Sequence, residues 1–286
     1  MIAGVLILGL MGCLAVAHPV LQATVWRSSQ QIYLPLTGYD PAVFHPSGPG
    51  PGHLFGTDAL GRDVLSLLTY ALGPTLGLAL VAATAVAALS VMSAILSAYY
   101  RGAVDTLLSK LADGLTLLPA PIVLLVIGLA RPDFGIPQLG IIFGLVFGLG
   151  PAAIVVRSRA LSVMAKPFID ASRVAGAGAR RIMAAHLIPD VLPVAMVQVM
   201  AGVTGVIVAH AFGEFLGSAR GRPGLGNLVY LALSYQGVIT NEIAWTQLVA
   251  ASLTISLLAG SFYLVGVGLR EALDPRFGHG QTFGPP

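Results

Sequence analysis

Charge is scarce in this chain. Asp, Glu, Lys and Arg together make up 9% of its 286 residues, and 56% are hydrophobic; soluble domains carry about 25% charged residues. So few charges cannot cover a globular surface, which argues against a soluble fold. Cysteine is nearly absent as well. Cys13 stands alone, so neither an intramolecular disulfide nor a cysteine-based zinc site can form. Lysine occurs only at Lys110, after Ser109, and Lys166, after Ala165. A phosphate-cradling P-loop needs Gly-Lys before Ser or Thr, so the chain cannot hydrolyse nucleotide by that route. The histidines, His18, His45, His53, His186, His210 and His279, have no metal-ligand spacing. The sequence thus reads as non-enzymatic, with no metal site and no cofactor of its own.

What is present is long apolar runs. Six stretches lack all four charged types: Met1 to Trp26, Leu72 to Ala98, Gly114 to Ala130, Phe134 to Val156, Val191 to Gly213 and Ile243 to Leu269. Crossing a hydrocarbon core of about 30 Å takes roughly 17 to 25 residues. The expected fold class is therefore all-α, a polytopic membrane protein with about six transmembrane helices. Gly114 to Ala130 is the weakest span, because Pro119 and Pro121 remove backbone donors and kink a helix. Such a break survives in a membrane only where neighbours or a polar cavity satisfy the freed carbonyls, which sets Pro119 and Pro121 against a pathway. The first span lacks the basic start of a signal peptide and reads as a retained helix.

The basic residues orient the chain. Arg101, Lys110, Arg157, Arg159, Lys166, Arg173, Arg180, Arg181, Arg270 and Arg276 fall on one side, against Arg27, Arg62, Arg131, Arg220 and Arg222 on the other. The positive-inside rule then places both termini in the cytoplasm of a multi-pass protein. The net charge of +3 is a topology signal and gives no reason to invoke nucleic acid. Secondary carriers mark ion routes with ionisable residues inside their spans. Here the spans hold only His18 and His210, with Glu214 just beyond the fifth. The glycine runs "GLGPAA" and "GRPGLG" lack the strand context of a dinucleotide fingerprint and read as close helix packing and a loop turn.

One cytoplasmic stretch differs from the rest: "DASRVAGAGARRIMAAHLIP", residues 170 to 189. Asp170 near the start with Arg180 and Arg181 later suits the macrodipole of a short helix. Gly176 and Gly178 are expected to bend it and Pro189 to end it. Val174, Ile182, Met183 and Leu187 are expected to form an apolar docking face.

This stretch resembles the EAA loop of binding-protein-dependent ABC importer permeases, with Asp170, Ala171, Ser172, Gly176, His186 and Pro189 at matching spacings. Asp170 replaces the usual Glu, Ser172 the second Ala and Ile188 the usual Leu. "HLFGTDALGRDVLSLLTYALG" at 53 to 73 and "VGVGLREALDPRFG" at 265 to 278 are similar to the C-type subunit of the dipeptide and oligopeptide branch. The resemblance implies a type I ABC importer transmembrane-domain fold in a bacterial or archaeal plasma (inner) membrane. It implies a second, B-type permease, two cytoplasmic ATPases that bind the ATP, and an extracytoplasmic substrate-binding protein. Residues 1–52 would form the first helix and an extracytoplasmic loop, 53–276 the permease domain and 277–286 a tail. The region 167–186 would be the coupling helix, with Gly176 permitting close backbone approach and Arg180 and Arg181 offering charge-assisted contacts. In "VIVAHAFGEFLG" relatives commonly carry an acid at the position of His210 and Ser at that of Glu214. Both departures fall where the outer end of the pathway is expected; the plainer reading of His210 is a hydrogen bond between helices, ahead of a role toward substrate. The expected function is a permease subunit for peptides or similar small solutes. The alternatives are an ion-coupled carrier or channel acting without ATPases, and a membrane scaffold.

Overall fold

The computed structural model describes residues 1–26, 31–217, 223–235 and 242–273. Its regular elements are helices: α1 (Ile2–Ala23), α2 (Val64–Tyr100), α3 (Gly102–Thr116), α4 (Ala120–Ala130), α5 (Ile136–Leu149), α6 (Pro151–Met164), α7 (Pro167–Val174), α8 (Ala179–Ile182), α9 (Ile188–Phe215), α10 (Leu225–Tyr235) and α11 (Glu242–Leu273). A π-helical turn, Met183–Leu187, joins α8 to α9. The expected tail at 277–286 lies outside the described residues.

Among the described residues, four helices are long and apolar enough to cross a membrane: Ile2–Ala23, Val64–Tyr100, Ala179–Phe215 and Trp245–Leu273. Two bent pairs bring the number to six if each is one span. The pair α3 and α4 turns by 78° at the break before Ala120, and α5 and α6 by 43° at Gly150. The first bend sits at Pro119, as the prolines required. The second sits where Pro151 opens α6, inside a stretch that reads as one uninterrupted span from composition. Its cause is local: Pro151 lacks an amide proton, and a side chain at Gly150 would collide with the Val146 carbonyl.

Helix α2 is the central post. Asp63 caps its start by accepting the Ser66 amide at 2.7 Å. Its 37 residues run for roughly 55 Å, and α1, α5, α6 and α9 pack around it. Near its start the core is Leu67, Leu72, Leu78, Ala82 and Val86 against Phe143, Val203, Val206, Ile207 and Leu228. Near its end a second cluster joins Ala94, Ile95 and Ala98 to Val156, Ala160, Ile169, Ile182, Leu187 and Val191. Gly140, Gly144 and Gly148 put a side-chain-free stripe of α5 on Val81, Ala85 and Val86 of α2. That is how backbones pack closely where water supplies no hydrophobic drive. The run beginning at Gly148 is thus helix packing, as expected.

Residues 31–63 form a lobe without regular elements at the start of α2. The Asp58 carboxylate accepts the amides of Leu60 and Arg62 through one oxygen and the Arg62 guanidinium through the other, at 2.6 to 2.9 Å. Gly61 closes this turn at φ +82°, against the Tyr39 ring. His53 is buried between Asp63 at 2.9 Å and Asp40 at 3.3 Å, and Tyr33 donates to the Gly52 carbonyl at 2.7 Å. The His53–Asp40 contact crosses between residues 52 and 53, as do the bonds of His45 and the Ser47 amide to the Thr57 hydroxyl at 2.9 Å, so the lobe is one folded piece over that position. Burial pushes the Asp63 carboxyl up, opposed by His53 and the Ser66 amide. The Ala42 amide, followed by His53, holds Asp40 down. The polar residues of the 53–63 segment therefore build a scaffold that seats the start of α2.

Candidate functional site

The sequence-derived candidates fall at the two ends of one helix. From Ala179 to Phe215, α8, the π turn and α9 are continuous, 37 residues in all. Helix geometry makes this a rod of roughly 55 Å.

At the first end lies the 170–189 stretch, which is not one helix. Helix α7 stops at Val174, and Gly176 follows at φ +84°. This left-handed conformation ends a helix cheaply only at glycine. Pro189 does not end the helix, contrary to expectation. It occupies the first turn of α9, where a missing amide is tolerated, and the wide π turn precedes it. The expected apolar face is also corrected. Ile182 and Leu187 are fully buried in the second core cluster, Met183 packs at its edge, and of the four only Val174 is free, 91% exposed. Phe168 adds a second exposed apolar side chain on α7. Burial was decisive because α8 continues into the bundle rather than lying across its end.

The remaining candidates decorate or fasten this segment. Asp170 is exposed and pairs with Arg173 at 3.1 Å, Ala171 is exposed beside it, and Ser172 donates to the Phe168 carbonyl at 2.8 Å. His186 reaches back from the π turn, 3.4 Å from the Ser172 hydroxyl and in ring contact with Phe168. Arg180 and Arg181 are exposed, and Arg180 lines an apolar groove beside α2. Asp190 ties the start of α9 to Arg159 of α6 and, at 3.2 Å, to Lys166 before α7. The segment is therefore braced to the bundle at both ends.

At the far end of the rod, a cavity of about 430 Å³ opens between α2, α4, α5 and α9. Its walls are mostly apolar, with Tyr70, Leu124, Phe134, Ile136 and Leu139, and its polar groups include His210 and Glu214. The two lie one helical turn apart with Nδ1 and Oε1 at 3.5 Å. Glu214 is 8% exposed. Its other oxygen accepts the Gly226 amide at 3.0 Å, so it holds the first turn of α10. Pro119 and Pro121 do not line this cavity; Leu124 and Gly128, further along α4, do.

Some residues escaped the sequence. A side chain at Gly224 would collide with the Glu214 carboxylate, and one at Gly226 with the Ala211 carbonyl. "GRPGLG" is thus more than a loop turn, since its Gly224 leaves room for the buried Glu214 carboxylate. The second omission is a polar cluster on α3. Arg157 donates to Asp105 at 2.6 and 2.7 Å and to Ser97 at 2.9 Å, joining α6, α3 and α2. Beside it a cavity of about 220 Å³ is lined by Ser93, Ser109, Asp113 and Arg157. His18, the other histidine within a span, meets Thr69 of α2 at 3.2 Å and touches the Tyr70 ring, a packing contact between α1 and α2.

Among the described residues, no group of three or more His, Cys, Asp or Glu is arranged to hold a metal ion. Comparison with known proteins gives the geometry a context. A family model described as "Binding-protein-dependent transport system inner membrane component" matches residues 88–279. A Brucella suis protein named for the permease of a peptide transport system is 33% identical over 229 residues, covering 80% of this chain and 75% of its own. The oligopeptide transport system permease protein OppC of Haemophilus influenzae is 32% identical, covering 78% of this chain and 70% of its own. The dipeptide transport system permease protein DppC of the same organism is 28% identical, with 80% and 76% covered.

Proposed function

Because this chain belongs to the binding-protein-dependent transport system inner membrane components, we propose that it is a permease subunit of an ATP-driven peptide importer. It would form the translocation path with a second permease, receive solute from an extracytoplasmic binding protein, and be driven by two separate ATPases. Peptides are the substrate class that the names of its relatives favour.

The observation that carries the mechanism is the rod. One helix of 37 residues begins beside α7 and ends at the cavity holding His210 and Glu214. Helix α7 stands out from the bundle with Val174 bare, a shape suited to seating in a cleft of another subunit. Asp190, Arg159 and Lys166 clamp the segment to α6, so a push on α7 displaces the rod rather than a slack loop. At its other end, the rod carries Glu214 and, through it, the start of α10. ATP-driven closure of the ATPases on α7 would thereby shift the wall of the outer cavity, which is alternating access expressed in residues of this chain.

The test is Val174→Asp. The side chain is exposed, so the change costs little folding stability. The variant is expected to insert and pair normally, lose co-purifying ATPases and lose ATP-dependent uptake. Full retention of the ATPases with normal uptake would show that α7 is not the docking element.

A further inference from the structure

The apolar groove beside α2 is used by neither the docking of α7 nor the pathway. It is lined on one side by Ala87, Ala88, Val91, Met92, Ile95 and Leu96. On the other lie Met183, Ala184, Ile188 and Leu192, with Arg180 as the one charged residue among the described residues of the lining. Alanines at 87, 88 and 184 make the wall concave, while Met92, Ile188 and Leu192 stand exposed along it. Only α2, α8, the π turn and α9 contribute to the lining, so the groove opens sideways from the bundle.

Two features say what fits there. The first is length. From Ala87 to Leu96 the groove follows α2 for about 14 Å, close to the roughly 15 Å hydrocarbon depth of one bilayer leaflet. The second is charge. Arg180 precedes the other α8 to α9 lining residues in the chain, so it stands at the end of the groove nearest α7, where the rod leaves the bundle. The neighbouring cations Arg159, Lys166 and Arg173 are each paired with a carboxylate. Among the described residues, Arg180 and the adjacent Arg181 have no such partner, and of the two only Arg180 lines the groove. An apolar slot one leaflet deep, closed at its polar end by an unpaired guanidinium, matches a phospholipid with its acyl chain in the slot and its headgroup phosphate on the arginine.

We propose that this groove is a binding site for an anionic phospholipid of the leaflet nearest α7. The lipid would link α2 to the first turn of the rod, at the segment that the proposed function assigns to coupling. The site itself requires only that α2 crosses the bilayer.

The experiment uses the full chain, with the subunits that co-purify, in nanodiscs containing phosphatidylglycerol or phosphatidylcholine with a photoreactive group in the acyl chain. Both leaflets carry the lipid, so the result does not depend on orientation or on ATPase docking. Labelling of peptides 87–96 and 183–192 is expected to be about fivefold stronger with phosphatidylglycerol, the effect of one arginine near an anionic headgroup. Arg180→Gln should remove the preference while leaving the labelling by phosphatidylcholine. Ala184→Trp, which fills the slot and keeps the arginine, should suppress labelling by both lipids. Equal labelling by the two lipids in the unaltered chain would overturn the headgroup contact. An unlabelled groove, protected by a helix of another subunit, would overturn the site.

Discussion

Gly176 shows what a residue type can and cannot reveal. Its spacing from Asp170 marks the coupling stretch, but sequence does not say whether it stands inside a helix or ends one. At φ +84°, with nothing within 4 Å of where its Cβ would be, it ends one. A bulky residue there is strained by about 1–3 kcal/mol whether or not a partner approaches, so loss of function in Gly176→Leu does not by itself report docking. Asn tolerates this conformation. Gly176→Asn is therefore expected to keep uptake and thermal stability, and Gly176→Leu to lose stability in a melt of the purified subunit. Equal melts would contradict the backbone argument. Glu214 and His210 were legible from their i, i+4 spacing, because the helix that carries them is regular. Gly224 was not, because its role depends on a carboxylate folding back from ten residues earlier. Gly224→Ala should displace that carboxylate at a cost of about 1–3 kcal/mol and reduce uptake. Glu214→Gln, which keeps an acceptor for the Gly226 amide, should leave α10 in place. If Gly224→Ala transports and melts like the unaltered chain, Glu214 does not organise the start of α10.

Elements were readable where they are apolar all round, and less so where they turn. Long spans such as α2 and α11 declare themselves by composition. Helix α3 did not, because Asp105, Lys110 and Asp113 end an apolar run in sequence even though the backbone continues as helix. Its charge is satisfied from a distant element: Arg157 lies 52 positions from Asp105. Both side chains of this pair remain partly exposed, at 30% and 24%, so breaking it should cost less than the 3–5 kcal/mol of a fully buried pair, about 1–2 kcal/mol. Arg157→Met is expected to lower the melting temperature of the purified subunit, and Arg157→Met with Asp105→Asn to recover part of the loss. A double variant no better than the single would mean that Arg157 acts mainly through Ser97 and packing. The pattern of the 170–189 stretch predicts one helix with a four-residue apolar face, whereas the structure ends α7 at Val174 and turns the chain at Gly176. What decided its form was burial of Ile182 and Leu187, and no local pattern reports which of two apolar residues a neighbouring helix will cover.

For the whole molecule, the six charge-free runs correspond, among the described residues, to four membrane-length helices and two bent helix pairs. The distribution of arginine and lysine led to an orientation that places the 31–63 lobe outside and α7 inside. In that orientation Phe44, 90% exposed, and Val174 would mark the two sides. With Cys13 replaced by Ser, a cysteine at Phe44 should react with a membrane-impermeant maleimide in intact cells. One at Val174 should react only after permeabilisation. The reverse pattern would invert the topology and remove α7 from the reach of cytoplasmic ATPases.

The central claim is that the 179–215 rod conveys ATP-driven motion from α7 to the cavity around His210 and Glu214. Ile136 lines that cavity from α5 and is not part of the rod. A single cysteine at Ile136, in the Cys13→Ser background of the assembled transporter, reports access to the cavity. Its rate of modification by an impermeant maleimide should differ several-fold between the nucleotide-free state and the state trapped with ATP and vanadate. Val174→Asp should abolish that difference. Equal rates in the two states, with ATPases bound and hydrolysing, would contradict the account.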